Sequence, residues 1–208
     1  MIEIILVIAF ALGPAIILHE YAHGWAANLL GDPTAKLAGR LTLNPIKHID
    51  PVGSILLPGS FLLAYFMGWT QSLFLFGWAK PVPVNFMRLK SPRRDMMIVA
   101  AAGPLTNIFL ALAGAQIFRA GLLSGILENI LIWAIELNLV LAIFNMIPIP
   151  PLDGSRIVSG FLPARMAYAY NQLERYGIII VLVLLQVGLF RFIHPIVDAL
   201  MAILGVNI

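Results

Sequence analysis

The sequence predicts an all-α polytopic membrane protein. It reads as one membrane-embedded domain over residues 1–208, with about five to six transmembrane or re-entrant helices and a small β or loop element between the first and third membrane segments. Hydrophobic residues make up 61% of the chain and charged residues 11%, against about 45–50% and about 25% in soluble domains. The mean hydropathy is +0.94. A globule this small cannot hide such an excess, so lipid must solvate much of it. The apolar residues also gather into long runs separated by short polar loops.

The first segment, Ile2 to Leu30, is longer than one crossing of about 20 residues. Glu3 is its only early charge, and neither a positive leader nor a small-residue cleavage site accompanies it, so it reads as a retained span. At 1.5 Å per residue His19 lies about 25 Å along the helix from Ile2, inside a hydrocarbon core about 30 Å thick. Gly31-Asp32-Pro33 then stops the helix. Thr34 to Asp50 is polar and broken by Gly39, Asn44-Pro45 and Asp50-Pro51. Val52 to Phe76 is apolar but interrupted at Pro58-Gly59 and Gly68. Gly77 to Arg94 is a second polar loop, in which Gly77 to Asn85 reads as an extended edge strand that a substrate could join by β-addition. Asp95 to Phe118 and Leu122 to Ile147 are clear spans. Pro148-Ile149-Pro150-Pro151 breaks the chain just before Leu152-Asp153-Gly154. A short stretch to Pro163 and an amphiphilic connector to Arg175 lead to a span over Tyr176 to Phe192 and a last apolar helix over Pro195 to Val206.

Both polar loops are basic, with Lys36, Arg40 and Lys47 in the first and Lys80, Arg88, Lys90, Arg93 and Arg94 in the second. The positive-inside rule places both in the cytoplasm. Val52 to Phe76 must then enter and leave on one side, as a re-entrant pair whose broken backbone is covered by protein; a single tilted crossing is the other option. With that parity the first span brings His19 and His23 toward the cytoplasmic leaflet, and Leu122 to Ile147 brings Asp153 to the same leaflet. Two distant motifs reach one depth. The expected location is multi-pass in the cell membrane, with the bilayer as a partner.

The net charge of +3 comes without a basic run, so nucleic acid is not an expected partner. Cysteine is absent, which rules out disulfides and thiolate metal sites. A metal site would have to use imidazole and carboxylate.

His19-Glu20-Tyr21-Ala22-His23 supplies such groups. Positions i and i+4 put both imidazoles on one helix face, the arrangement of a metal-binding pair. Glu20 can reach water at the metal without ligating, take its proton and pass it to a leaving amine. Ionisable groups inside a lipid span are costly and mark functional sites. A catalytic metal needs a third protein ligand and an open position. Asp153 is the best candidate, because prolines break the helix before it and Gly154 permits a close turn; capping of the next short helix is its plainer role. Two imidazoles and a carboxylate suit zinc, while iron and manganese use similar sets.

The H-E-x-x-H at His19 to His23, followed by N-x-x-P-x-P-x-L-D-G at Asn145 to Gly154, resembles the site-2 protease family of intramembrane metalloproteases (peptidase family M50). Gly103-Pro104-Leu105-Thr106-Asn107 looks like a further family element. The resemblance implies one Zn2+ per chain on His19, His23 and Asp153, with Glu20 as catalytic base. It implies that Asn145 orients substrate or stabilises the tetrahedral intermediate, with Asn107 as a second candidate for substrate support or, more simply, helix packing. It implies a membrane-spanning or membrane-associated polypeptide as substrate. The chain looks like a minimal form, with no room for a PDZ module or a CBS pair. A zinc-binding adaptor or permease without hydrolysis is the competing class; a permease would string its ligands across the membrane, whereas these gather at one depth. His48 is expected in a loop near the cytoplasmic mouth, and His194 at the far interface.

Overall fold

The computed structural model describes residues 2–69 and 77–206, and every regular element among them is helical. Helix α1 (Ile2–Val7) passes through a π-helical turn (Ile8–Leu12) into α2 (Gly13–Leu29) without a break. Pro14 explains the wide turn. It cannot donate to the turn behind it and its ring crowds that carbonyl, so Gly13 N–H reaches back five residues to Ile8 O. The α2 end is a glycine stop: Gly31 sits at φ +110° and Asp32 N–H returns to Ala27 O at 2.9 Å.

Short turns follow: α3 (Thr34–Leu37), a 3-10 turn (Pro45–His48), and a π-helical turn (Pro51–Leu56) that runs into α4 (Leu57–Phe66). Asp50 starts the last of these, accepting from Val52 N–H and Gly53 N–H. The second arm expected within Val52 to Phe76 falls partly on residues 70–76, outside the described residues. The ends of the segment nevertheless meet. Trp78 N–H donates to Gly53 O at 3.2 Å, and Ser54 Oγ donates to Trp78 O at 2.9 Å.

Residues 77–85 have no regular structure and form no ladder, and no strand occurs among the described residues. The expected β element is thus a strap held mainly by side chains. Its backbone bonds to the side chains of Glu20, Arg40, Asp32 and Ser54, with main-chain bonds from Trp78 N–H to Gly53 O and from Lys80 N–H to His48 O. Pro81 and Pro83 explain the missing ladder, since both lack the N–H of every second strand position.

Helix α5 (Pro92–Arg119) is the central span and packs on both α2 and α6 (Ile126–Asn145). Small residues bring α5 and α6 close: Ala111 and Ala115 are fully buried, and a side chain at Gly114 would strike Ile135. After the proline break come α7 (Asp153–Phe161), α8 (Ala164–Asn171), α9 (Gly177–Val187) and α10 (Phe190–Ile203). The two stretches Ala164–Val187 and Phe190–Ile203 bend by 76° at Gly188.

Three helices are long and apolar enough to cross a membrane, Ile5–Leu29, Pro92–Arg119 and Ile126–Asn145; the bent pair makes four. The five to six expected counted re-entrant helices as well as crossings. The apolar stretch Pro51–Phe66 spans only about 24 Å at 1.5 Å per residue, and a glycine splits the last apolar run in two. Large apolar side chains such as Phe10, Phe109 and Val187 lie exposed on the helix surfaces, where lipid is their solvent. The chain is a multi-pass membrane protein.

Candidate metal centre

His19 and His23 point from α2 toward Gly103 on α5, and the fit depends on that glycine. A Cβ there would lie 2.5 Å from His23 Nε2 and 2.7 Å from His19 Nε2. The missing side chain is the space in which both imidazoles converge. Asp153 arrives from the other side, at the first turn of α7. Gly154 allows this, because any side chain at that position would strike the carbonyls of Met146 and Ile147 at the end of α6. Leu152 N–H and Ser155 N–H tie the turn to Ile149 O and Leu152 O.

The three side chains meet at one point. His19 Nε2 and His23 Nε2 are 3.0 Å apart, and Asp153 Oδ2 stands 3.2 Å from the first and 3.3 Å from the second. Tetrahedral coordination with bonds of about 2.0–2.1 Å separates ligand atoms by about 3.3 Å. The donor set therefore has the dimensions of a four-coordinate ion with one position left over. Asp153 Oδ2 is buried and has no hydrogen-bond partner among the described residues, the condition of a carboxylate oxygen reserved for a cation.

The far side of each imidazole is already committed. His23 Nδ1–H donates to Val99 O at 2.7 Å, and His19 Nδ1–H donates to Asn107 Oδ1 at 2.6 Å. A carbonyl can only accept, so His23 carries its proton on Nδ1 and leaves Nε2 free as a ligand. Asn107 is oriented in turn: its amide donates to Ala15 O and Asn138 Oδ1, so its oxygen faces His19. Asn138 Nδ2 donates to Ala134 O at 2.7 Å. Asn107 is fully buried behind His19, facing the ligand from the side away from the open cavity. Asn138 is not among the site residues that the sequence points to. As an asparagine in an apolar span it carried a polar signal, but nothing local to it named its partner 31 positions away.

Glu20 lies on the adjoining wall, where Oε2 accepts Val82 N–H from the strap at 2.8 Å. A cavity of about 280 Å³ holds His19, Glu20, His23, Asn145, Asp153 and Arg156 on its lining. A second cavity of about 240 Å³ shares His19, Glu20 and Asn145 and is otherwise walled by residues such as Ile16, Phe144, Ile178 and Val181. Asn145 thus stands where both cavities meet, its amide donating to Leu141 O of its own helix at 2.9 Å. His48 is apart from this group. It is buried under the strap with Nε2 2.8 Å from Thr42 O. His194 is on α10, its ring centroid 5.9 Å from that of Phe190.

Comparison with known proteins gives the same picture. The family model described as peptidase family M50 matches residues 115–188, a stretch that holds Asn145 and Asp153 but not the histidine pair. "Putative zinc metalloprotease YwhC" of Bacillus subtilis is 41% identical over 186 residues, covering 85% of this chain and 78% of its own length. The similarly named Rip2 of Mycolicibacterium smegmatis is 30% identical over 170 residues, or 81% of this chain and 62% of Rip2. MJ0611 of Methanocaldococcus jannaschii is 46% identical over a shorter run of 63 residues, 29% of this chain and 31% of the relative. No solved structure gives a significant match to the chain.

Proposed function

The chain belongs to peptidase family M50, and on that premise we propose that it is an intramembrane zinc metalloprotease. It hydrolyses peptide bonds in membrane-spanning or membrane-associated polypeptides. One observation carries this reading: His19 Nε2, His23 Nε2 and Asp153 Oδ2 converge at ligand spacing on a cavity that also exposes Glu20. The donor set, two neutral imidazoles and a carboxylate without thiolate, fits Zn2+. Bound there, zinc supplies Lewis acidity, acidifying water and polarising the scissile carbonyl.

The remaining work belongs to the chain's own groups. Glu20 takes a proton from the attacking water and delivers it to the leaving amine, so one carboxylate serves as base and then as acid. Asn145 releases Leu141 O and turns its amide N–H toward the scissile carbonyl oxygen as charge develops there. Asn107 holds the His19 ring in the ligating tautomer. The two cavities suggest separate approaches: polypeptide from the apolar side against α6 and α9, water from the side lined by Asp153 and Arg156. Substrate must unwind to expose a peptide bond, and its freed backbone groups find partners along the strap, where Val82 and Val84 keep their N–H groups. The positive-inside rule applied to the two basic loops supports a centre near the cytoplasmic leaflet of the cell membrane, and the meeting of Gly53 with Trp78 supports both loops lying on one side.

The test is Glu20→Gln in protein purified free of host proteases. It should keep one zinc per chain and lose single-span reporter cleavage by about 10²–10⁴-fold. Full activity in that variant removes Glu20 as the base, whereas no zinc-dependent cleavage by the unmodified protein ends the proteolytic reading and leaves metal binding without hydrolysis.

A further inference from the structure

Arg156 is on the cavity lining beside the metal ligands, and neither the metal nor the proton transfer requires it. It follows Asp153 by three positions on α7, which sets both side chains on one helix face. Outside the metal ligands and Glu20, the other walls named for this cavity are neutral: Pro81, Val82, Phe86, Val99 and Asn145 among them. Among the described residues Arg156 is its one permanent cation. The guanidinium stacks 5.0 Å above the Phe86 ring, and Nη2 donates to Glu174 Oε1 at 2.9 Å. A guanidinium has five N–H donors in a fixed fork, and among the described residues this is its one hydrogen bond. The partner is itself half exposed, at 49% of its side-chain surface, so the pair holds weakly against water and salt. Arg156 and Phe86 also line a further cavity of about 400 Å³ together with Glu174 and Asn171. The side chain therefore stands between the metal cavity and this neighbouring one, with a carboxylate of the protein's own already on it.

We infer that Arg156 determines specificity by taking a carboxylate of the substrate, with Glu174 as the internal carboxylate that occupies it otherwise. The ligand is an acidic side chain within a few residues of the scissile bond, or the free C-terminal carboxylate of a short tail. Phe86 keeps the guanidinium plane over the cavity mouth, and four unengaged donors are enough for a bidentate partner. This rests on the proteolytic reading above.

The experiment uses purified full-length protein and single-span reporters differing only by Asp, Asn or Lys at each of three positions on either side of the cut. Two further reporters end near the cut in a carboxylate or a carboxamide, and so separate the two carboxylate sources. The Asp reporter, or the carboxylate-ended one, should show a KM lower than its neutral twin by about tenfold, with kcat little changed. Arg156→Gln should erase that ratio. Glu174→Gln should lower the KM for the acidic reporter further, because the competitor is gone. A merely structural ion pair would make the two variants alike, whereas specificity moves them in opposite directions. Arg156→Glu should transfer the preference to the Lys reporter. Equal cleavage of charged and neutral reporters by the unmodified protein, or a ratio that survives Arg156→Gln, overturns the inference while leaving proteolysis intact. Absence of any zinc-dependent cleavage by the unmodified protein overturns both.

Discussion

A methyl group added at Gly103 would sit 2.5–2.7 Å from three atoms of the two imidazoles, close to where an ion must lie. Gly103→Ala should therefore abolish metal binding, with zinc per purified chain falling to about a tenth or less. Asn107→Ala acts one step removed. It frees the His19 ring but leaves the ligand in place, so zinc affinity should fall by about 10–100-fold. Metal titration of both variants separates the effects, and equal loss in the two would refute the division of labour. At this scale the sequence was most informative where chemistry is dense. Three ionisable groups within five positions of an apolar run are hard to explain otherwise, and the Pro-rich break before Asp153 announced its turn. Asn107 was visible as a polar residue in a span, but its orientation depends on His19, 88 positions away. No local pattern carries such a distance. Arg156 was hidden for the same reason: helix spacing put it near Asp153, while Phe86 and Glu174 come from other parts of the chain.

The strap is the element whose form the sequence reading met only halfway. The expected edge strand over Gly77 to Asn85 contains Pro81 and Pro83, which remove the donors a paired strand requires. Polar side chains replace the ladder. Asp32 is fully buried and accepts from Asn85 N–H at 2.6 Å, from Thr34 N–H at 3.0 Å and from the Thr34 hydroxyl. Asp32→Asn would turn one acceptor into a donor against a buried backbone N–H, at a cost of about 1–3 kcal/mol. Because the loss is local to the strap, amide exchange over 82–85 should quicken by about 5–100-fold while zinc content is retained. Unchanged exchange would show that the strap is held by its other bonds, Arg40 Nη2 to Lys80 O at 2.7 Å and Lys80 N–H to His48 O at 2.9 Å. The number of unbroken crossings is limited by the same kind of local break. Hydropathy registers apolar composition, whereas crossing a bilayer also needs unbroken length, and Gly188 at φ +97° denies that to the last run.

For the whole molecule, parity made the strongest statement available from sequence, because it required His19 and Asp153 to end at one depth. The convergence of their side chains meets that requirement. Helices α5 and α6 then define the axis: Val99 to Asn107 of α5 and Asn145 of α6 face the metal group, and the 120–125 connection joins the other ends of both helices. At 1.5 Å per residue α5 runs about 42 Å, enough to carry that connection clear of the opposite surface. The natural absence of cysteine makes this testable without a background. Lys36→Cys and Ser124→Cys fall on exposed positions at opposite ends of the axis. A membrane-impermeant thiol reagent added to intact cells should modify position 124 and spare position 36; inverted vesicles should reverse the pattern. Labelling of both from one side would mean that α5 does not cross, and would remove the depth argument on which a centre near the cytoplasmic leaflet depends. Labelling of position 36 alone from outside would keep the spans and invert the protein, moving the same His/His/Asp group to the other leaflet.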